Sequence, residues 1–111
     1  MKLKKGVDYQ EGSDNIFSDL GLPDADELLA RSNLIIAIKT VMEKRGLTQA
    51  QVAALVGMGQ PDISKMLRGD LERFTTDRVM QVLNKLGQDI EITVKPAPKR
   101  RPAGRITVKA A

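Results

Sequence analysis

The sequence predicts an all-α domain, a bundle of about five short helices followed by a short C-terminal β-strand. Aromatic residues make up 3% of a chain that is 41% hydrophobic. The core must therefore consist of aliphatic residues and methionine, which favours packed helices over a sheet. The 111 residues are enough for one compact domain with tails. Four glycines stand where helices should end, because glycine readily takes the left-handed conformation that follows a last turn. They are Gly46, Gly57, Gly69 and Gly87.

The first helix is expected to begin at Asp24. Glu27 follows in the first turn, and the two acids resemble a capping signal, because a short carboxylate accepts hydrogen bonds from free N–H groups there. Gly46 ends the helix. Its apolar residues at helical spacing are Leu34, Ile38, Val41 and Met42. The sequence leaves open whether this stretch is one helix or two helices broken near Ser32 and Asn33.

The second helix is expected over Gln49 to Val56. Thr48 is a good N-cap before it, and Gly57 suits the turn that ends it. Ala53 must be small, because the next helix crosses close over it.

The third helix opens with Gln60 and Pro61 and closes at Gly69. Proline is tolerated there because N–H groups of a first turn have no partner within the helix. Apolar residues on both helices are expected to pack against their neighbours: Val52, Val56, Met58, Ile63 and Met66.

A fourth helix is expected to begin at Thr75 or Thr76 and to end at Gly87. Its apolar positions follow the i, i+3, i+4, i+7 pattern. They are Val79, Val82, Leu83 and Leu86.

A short strand is predicted over Ile90 to Val94, where apolar and polar residues alternate and several side chains are β-branched. A single strand needs a partner. That partner is either residues 105–109 of the same chain or the same strand of a second copy across a two-fold axis.

Charge divides the chain into three parts: an acidic N-terminal arm over residues 1–23, a helical domain with its strand over 24–94, and a basic, proline-rich tail over 95–111. The net charge is +4 and the pI about 9.6. Residues 95–111 hold six basic side chains and no acid, whereas residues 7–29 hold seven acids and no Lys or Arg. The tail is expected either to follow DNA or to stay disordered. The acids form either a solubilising surface or a binding site for a basic partner.

Several classes of function are disfavoured by composition. The chain has no cysteine and no histidine, which removes zinc sites, Ser/His/Asp triads and Cys/His pairs. The acids stand singly, so we expect no enzyme, no cofactor and no metal. Neither a secretory signal nor an apolar membrane span is evident, and we expect a cytoplasmic, nucleoid-associated protein.

Two short helices joined by a glycine turn are the content of a helix-turn-helix. Residues 46–53 (GLTQAQVA) and 60–69 (QPDISKMLRG) resemble the XRE, or phage-repressor-like, family. The resemblance covers residues 34–87 and implies a phage-repressor-like bundle. The flanking residues 13–23, 83–90 and 105–106 look like those of small HigA-type antitoxins, which are encoded beside HigB/RelE-like toxins.

The resemblance implies a DNA-binding surface on the third helix. Gln60, by this reading, pairs with adenine and Lys65 reaches guanine or a phosphate, while Asp62 is able to accept from cytosine. Two positions depart from the family: Gly59 replaces the usual Ser or Thr cap, and Asp62 brings a negative charge near the groove. Gln49, Thr75 and Thr76 are expected near phosphates. The full set of expected DNA-binding residues is Gln49, Gln60, Pro61, Asp62, Ser64, Lys65, Arg68, Thr75 and Thr76.

The family resemblance also implies partners. A homodimer would bind a pseudo-palindromic operator in double-stranded DNA, with half-sites about one helical turn apart. In the antitoxin version the protein also neutralises an RNase toxin of the HigB/RelE type and represses its own operon. The alternatives are a free-standing regulator without a toxin partner and a protein-interaction module with little DNA binding.

Overall fold

A computed structural model describes residues 7–8 and 24–110 of the chain. Apart from Val7 and Asp8, the predicted acidic arm over residues 1–23 lies outside the described residues. Within the described part there are four helices and one two-stranded sheet. In chain order these are β1 (Val7–Asp8), α1 (Ala25–Arg45), α2 (Gln49–Val56), α3 (Gln60–Leu67), α4 (Thr76–Lys85) and β2 (Lys109–Ala110).

Helix α1 is continuous over 21 residues, which answers the question left open at Ser32 and Asn33. Asn33 does not break the helix, and the residue is buried on the inner face with 3% of its surface exposed. The helix begins where expected, but the predicted capping role of Asp24 is wrong. Asp24 has φ 56° and ψ 33°, and in this left-handed conformation its carboxylate makes no capping hydrogen bond. Glu27 instead forms an ion pair with Arg31.

The predicted starts of α2 and α4 are confirmed. Thr48 accepts a hydrogen bond from the Gln51 backbone N–H, and the Gln51 side chain accepts from the Thr48 N–H, which completes a capping box. Thr75 caps α4 by accepting from the Arg78 N–H at 3.3 Å. Each cap satisfies a donor that the first turn leaves without a helical partner.

The core lies where α1 and α4 pack together and the α2–α3 pair closes against them. The apolar residues predicted for α2–α4 are buried there, and Met58 packs at the edge. Phe74, one of the chain's two phenylalanines, is fully buried among aliphatic side chains. Leu34 and Ile38 of α1 are buried as predicted, with Val41 and Met42 half-buried beside them.

Two hydrogen bonds join helix ends that are far apart in sequence. Arg45 donates from Nη1 to the carbonyl oxygen of Leu86 at 2.8 Å, and Lys85 donates from Nζ to the carbonyl oxygen of Val56 at 3.1 Å. Carbonyl groups at helix ends lack a partner within their own helix. Arg45 and Lys85 therefore supply hydrogen bonds to carbonyl groups at the ends of α4 and α2, and these bonds link α1 to α4 and α4 to α2.

The predicted strand over Ile90–Val94 is wrong for the single chain, because residues 88–98 carry no regular secondary structure. The expected pairing with residues 105–109 does not form either. Lys109 pairs instead with Asp8, in the antiparallel sheet of β1 and β2. Ile92 and Val94 are left 75% and 93% exposed, so their alternating pattern finds no buried face within the chain. A fifth helix is not found among the described residues. None of the described helices is both long and apolar enough to cross a membrane.

Candidate nucleic-acid interface

A tight turn at Gly57 joins α2 to α3. Gly57 has φ 72°, a left-handed conformation that glycine adopts at little cost. The Gly57 and Met58 N–H groups both donate to the carbonyl oxygen of Ala53, at 2.9 and 3.1 Å. Ala53 itself is buried, with 7% of its surface exposed. The turn therefore has the small residue and the glycine that the sequence predicted for a helix-turn-helix.

Helix α3 has a sealed inner face and a polar outer face. Ile63, Met66 and Leu67 are buried in the core. The outer face holds the residues expected to contact bases: Gln60, Pro61 and Arg68 are exposed, and Ser64 and Lys65 are half-buried. Arg68 lies along this face and donates from Nη1 to the Ser64 hydroxyl at 3.0 Å. The structure thus brings five of the expected residues together on one accessible surface.

The remaining expected residues lie at the edges of this surface or take part in the fold. Gln49 is half-buried at the first position of α2. The hydroxyl of Thr75 accepts from a backbone N–H of its own helix, and that of Thr76 accepts from Arg31 Nε at 3.3 Å. Both hydroxyl oxygens therefore accept a hydrogen bond within the protein, which leaves each O–H, together with the backbone N–H groups at the start of α4, able to donate to a phosphate.

Asp62 has a counter-charge that the sequence did not reveal. Its Oδ1 lies 3.8 Å from Nη1 of Arg73, on the loop between α3 and α4. Both side chains are about half exposed, at 43% and 48%. The pair depends on how the loop folds back over α3, and no sequence spacing signals it.

The α3–α4 loop is anchored from two sides. Phe74, a residue of the loop, is fully buried, and the Arg78 guanidinium lies 5.0 Å from the centre of its ring. Arg31 of α1 donates to the carbonyl oxygen of Leu71 and, through Nε, to Thr76. Arg31 is only 12% exposed, so this basic residue supports the fold and is not part of a surface patch.

The charge along the candidate interface is balanced. Residues 60–78 hold four basic and four acidic side chains. Long-range attraction to the phosphate backbone needs an excess of positive charge, and this segment supplies none. Positive charge in excess lies in the tail, where residues 95–105 are exposed except for the half-buried Arg101.

Comparison with known proteins decides the family. A protein-family model described as a helix-turn-helix domain matches residues 16–95. A solved structure described as an XRE family transcriptional regulator is 40% identical to this chain, with a TM-score of 0.73. The alignment covers 80% of this chain and 100% of that one. The chain belongs to the XRE family of helix-turn-helix regulators.

Membership of the XRE family confirms the helix-turn-helix predicted from residues 46–69 and assigns DNA-binding transcriptional regulation to the chain. No curated protein matches it. Within residues 24–110 of this XRE protein, no group of three or more acidic side chains is placed to hold a metal ion.

Proposed function

We propose that this XRE protein is a sequence-specific transcriptional repressor that binds a pseudo-palindromic operator through the outer face of α3. One observation carries the proposal: polar side chains of α3 form a continuous accessible face, while the opposite face is sealed in the core. A helix presented in this way fits the major groove of double-stranded DNA. The protein would act on the nucleoid, in the cytoplasm.

Side chains of α3 have distinct roles in this proposal. The amide of Gln60, exposed at the first position of the helix, pairs with adenine in the major groove. Lys65 reaches guanine or a phosphate, and Arg68 and Ser64 contact the DNA together through their shared hydrogen bond. Gln49 and the first turn of α4 hold phosphates and so orient the domain.

A homodimer is part of the proposal. The segment Ile90–Val94 is extended in pattern but unpaired in the described chain, and Ile92 and Val94 present apolar side chains to solvent. Pairing with the same segment of a second copy would satisfy its backbone and bring the apolar side chains of the two copies into contact. The two α3 helices would then be related by a two-fold axis, as a pseudo-palindromic operator requires.

The dimer is tested by Ile92→Lys in sedimentation at several concentrations. Charge repulsion across the axis should shift the protein to monomer and abolish cooperative operator binding. Ile36→Lys, at a 36% exposed position on α1, is the matched control and should leave the dimer intact. A variant Ile92→Lys that remains dimeric would place the interface elsewhere.

The operator is tested by a salt series of binding to the DNA upstream of the gene and to random DNA. Lys65→Ala should weaken operator binding, whereas Lys39→Ala, at an exposed position on α1, should not. Lys99→Ala with Arg100→Ala should lower the salt slope by about two if the tail contacts phosphates. Equal affinity for upstream and random DNA would contradict sequence-specific repression and favour a protein-interaction role.

A second candidate function, the antitoxin of a HigB/RelE-like pair, has support of a different kind. The sequence of residues 7–29 holds seven acids and no Lys or Arg, and Asp24, Asp26 and Glu27 are exposed where α1 begins. Such a surface suits a cationic RNase. A toxin-sized reading frame beside the gene, whose product co-purifies with this protein and loses RNase activity on binding, would support this role. The absence of such a frame would favour a free-standing regulator.

A further inference from the structure

Asp62, in the first turn of α3, and Arg73, on the loop that follows the helix, form an ion pair whose charged atoms are 3.8 Å apart. We propose that Arg73 is a further DNA-contacting residue, which Asp62 positions and which in turn neutralises Asp62. The proposal rests on the function proposed above and adds a specificity-determining pair that links the outer face of α3 to the loop after it.

The need for a neutralising partner follows from the position of Asp62. Helix α3 has Gly59 as its N-cap and no side-chain capping bond, so an acid in the first turn stabilises the positive end of the helix. The same carboxylate is 43% exposed next to Gln60 and Pro61, on the side proposed to face DNA. An unpaired acid there would repel phosphate.

Arg73 is held where it can serve both purposes. Its backbone N–H donates to Asp70 at 3.4 Å, and the next residue, Phe74, is fully buried. The loop therefore fixes the origin of the Arg73 side chain, while the side chain as a whole stays 48% exposed. The ion pair with Asp62 draws that side chain towards the first turn of α3.

The chemistry of arginine allows a shared contact. A guanidinium has five N–H donors in a planar fork, so one edge can face a carboxylate while another binds a phosphate oxygen. An exposed ion pair is itself weak. A phosphate oxygen can therefore bind the guanidinium without first having to break a strong contact with Asp62. Lysine presents a single ammonium, so the two roles would compete.

The pair gives the protein a means of discrimination. Where the DNA path places a phosphate beside Arg73, the guanidinium joins it to the protein, and Asp62 stays neutralised. Where the phosphate lies out of reach of the paired guanidinium, Asp62 keeps Arg73 away from other phosphates and the contact is lost. Asp62 thus lowers affinity for random DNA more than affinity for the operator, and specificity depends on DNA shape as well as on bases.

The test measures binding of the full chain to operator and to random DNA over a salt series. Arg73→Ala should lower operator affinity on the order of tenfold and reduce the salt slope by about one. Arg73→Lys should recover the slope but not the full affinity. Asp62→Asn should raise affinity for random DNA more than for operator, which lowers the specificity ratio.

The control for Asp62→Asn is Glu72→Gln, which removes the same charge from an exposed position on the α3–α4 loop, next to Arg73. In the Arg73→Ala background, Asp62→Asn should restore more affinity than Glu72→Gln does. Equal restoration would overturn the pairing, because only net charge would then matter. If Arg73→Ala leaves the operator affinity and the salt slope unchanged while Lys65→Ala still weakens operator binding, Arg73 does not contact DNA. The proposed operator binding by α3 would then still stand. Absence of operator binding by the unaltered protein would instead refute the proposed function.

Discussion

Lys85 donates a hydrogen bond from Nζ to the carbonyl oxygen of Val56 at 3.1 Å. The last residue of α4 thus supplies a donor to the carbonyl group of the last residue of α2. The two residues are 29 positions apart. The bond joins the C-terminal end of the first helix of the helix-turn-helix to the helix that packs behind it. It supports the orientation of α2, and through the Gly57 turn that of α3.

Lys85→Met should therefore lower the free energy of unfolding by about 1 kcal/mol, because the aliphatic stem remains but the donor is lost. A loss of that size should lower the melting temperature by several degrees in a domain of this length. Thermal unfolding followed by circular dichroism measures it. Lys39→Met, at an exposed position in mid-helix, is the control. Identical melting of the two variants would show that the Lys85 bond contributes nothing.

Arg31 anchors the α3–α4 loop from inside, and its loss should be costly. Arg31→Ala removes donors to Leu71 and Thr76 from a side chain that is 12% exposed, so we expect a loss of about 2–3 kcal/mol. Arg31→Lys should recover only part of this, since one ammonium cannot reproduce both contacts. Urea unfolding gives the free energy, and hydrogen exchange at residues 71–74 should speed up in both variants. If Arg31→Lys keeps the full free energy of unfolding, the two hydrogen bonds of Arg31 are not both needed to hold the loop.

Ala53 and Ala54 are neighbours in α2 with opposite environments. Ala53 is buried at 7% exposure where α2 and α3 meet, and Ala54 faces solvent. Ala53→Leu should cost about 1–3 kcal/mol by overpacking, and it should also weaken operator binding by displacing α3. Ala54→Leu should change stability by less than about 0.5 kcal/mol. Chemical denaturation of both variants tests the comparison, and equal effects would contradict the close approach at Ala53.

Gly59 can be improved upon, whereas Gly57 cannot. Gly59 has φ −68° and ψ 146°, a conformation open to any residue, and an added Cβ would meet only Pro61 at 3.7 Å. Gly59→Ser should stabilise the fold by about 0.5–1 kcal/mol, by capping α3 and restricting the unfolded chain. Gly57→Ser places a side chain at φ 72° and should cost about 1–2 kcal/mol. Melting temperatures that move in the same direction would refute this distinction.

The helices were predictable because their signals are local. The bounds of α2 and the start of α3 follow from Thr48, Gly57 and Gln60, each acting within a few residues along the chain. The outer face of α3 was equally predictable, because helical periodicity separates Ile63 and Met66 from the polar positions between them. The predicted DNA-binding roles of those polar positions stay predictions.

The predicted strand at Ile90–Val94 does not form within the single chain, and the reason is physical. Alternating β-branched residues indicate that a segment suits a sheet, but a strand exists only where a partner supplies hydrogen bonds. Within the described chain that partner is missing, and β2 forms at Lys109–Ala110 against β1 instead. Asp24 failed similarly: the residue type suits an N-cap, but its backbone conformation does not.

What the sequence by itself determined is the helix order and the face of α3 that looks outward, because caps, glycine turns and helical periodicity act over short distances along the chain. What only the tertiary structure decided is the set of contacts between distant residues: Arg31 beneath the loop, Lys85 at the end of α2, and Arg73 beside Asp62. Those partners are brought together by the packing of helices. The contact that a long charged side chain makes cannot be predicted from the periodicity of the sequence.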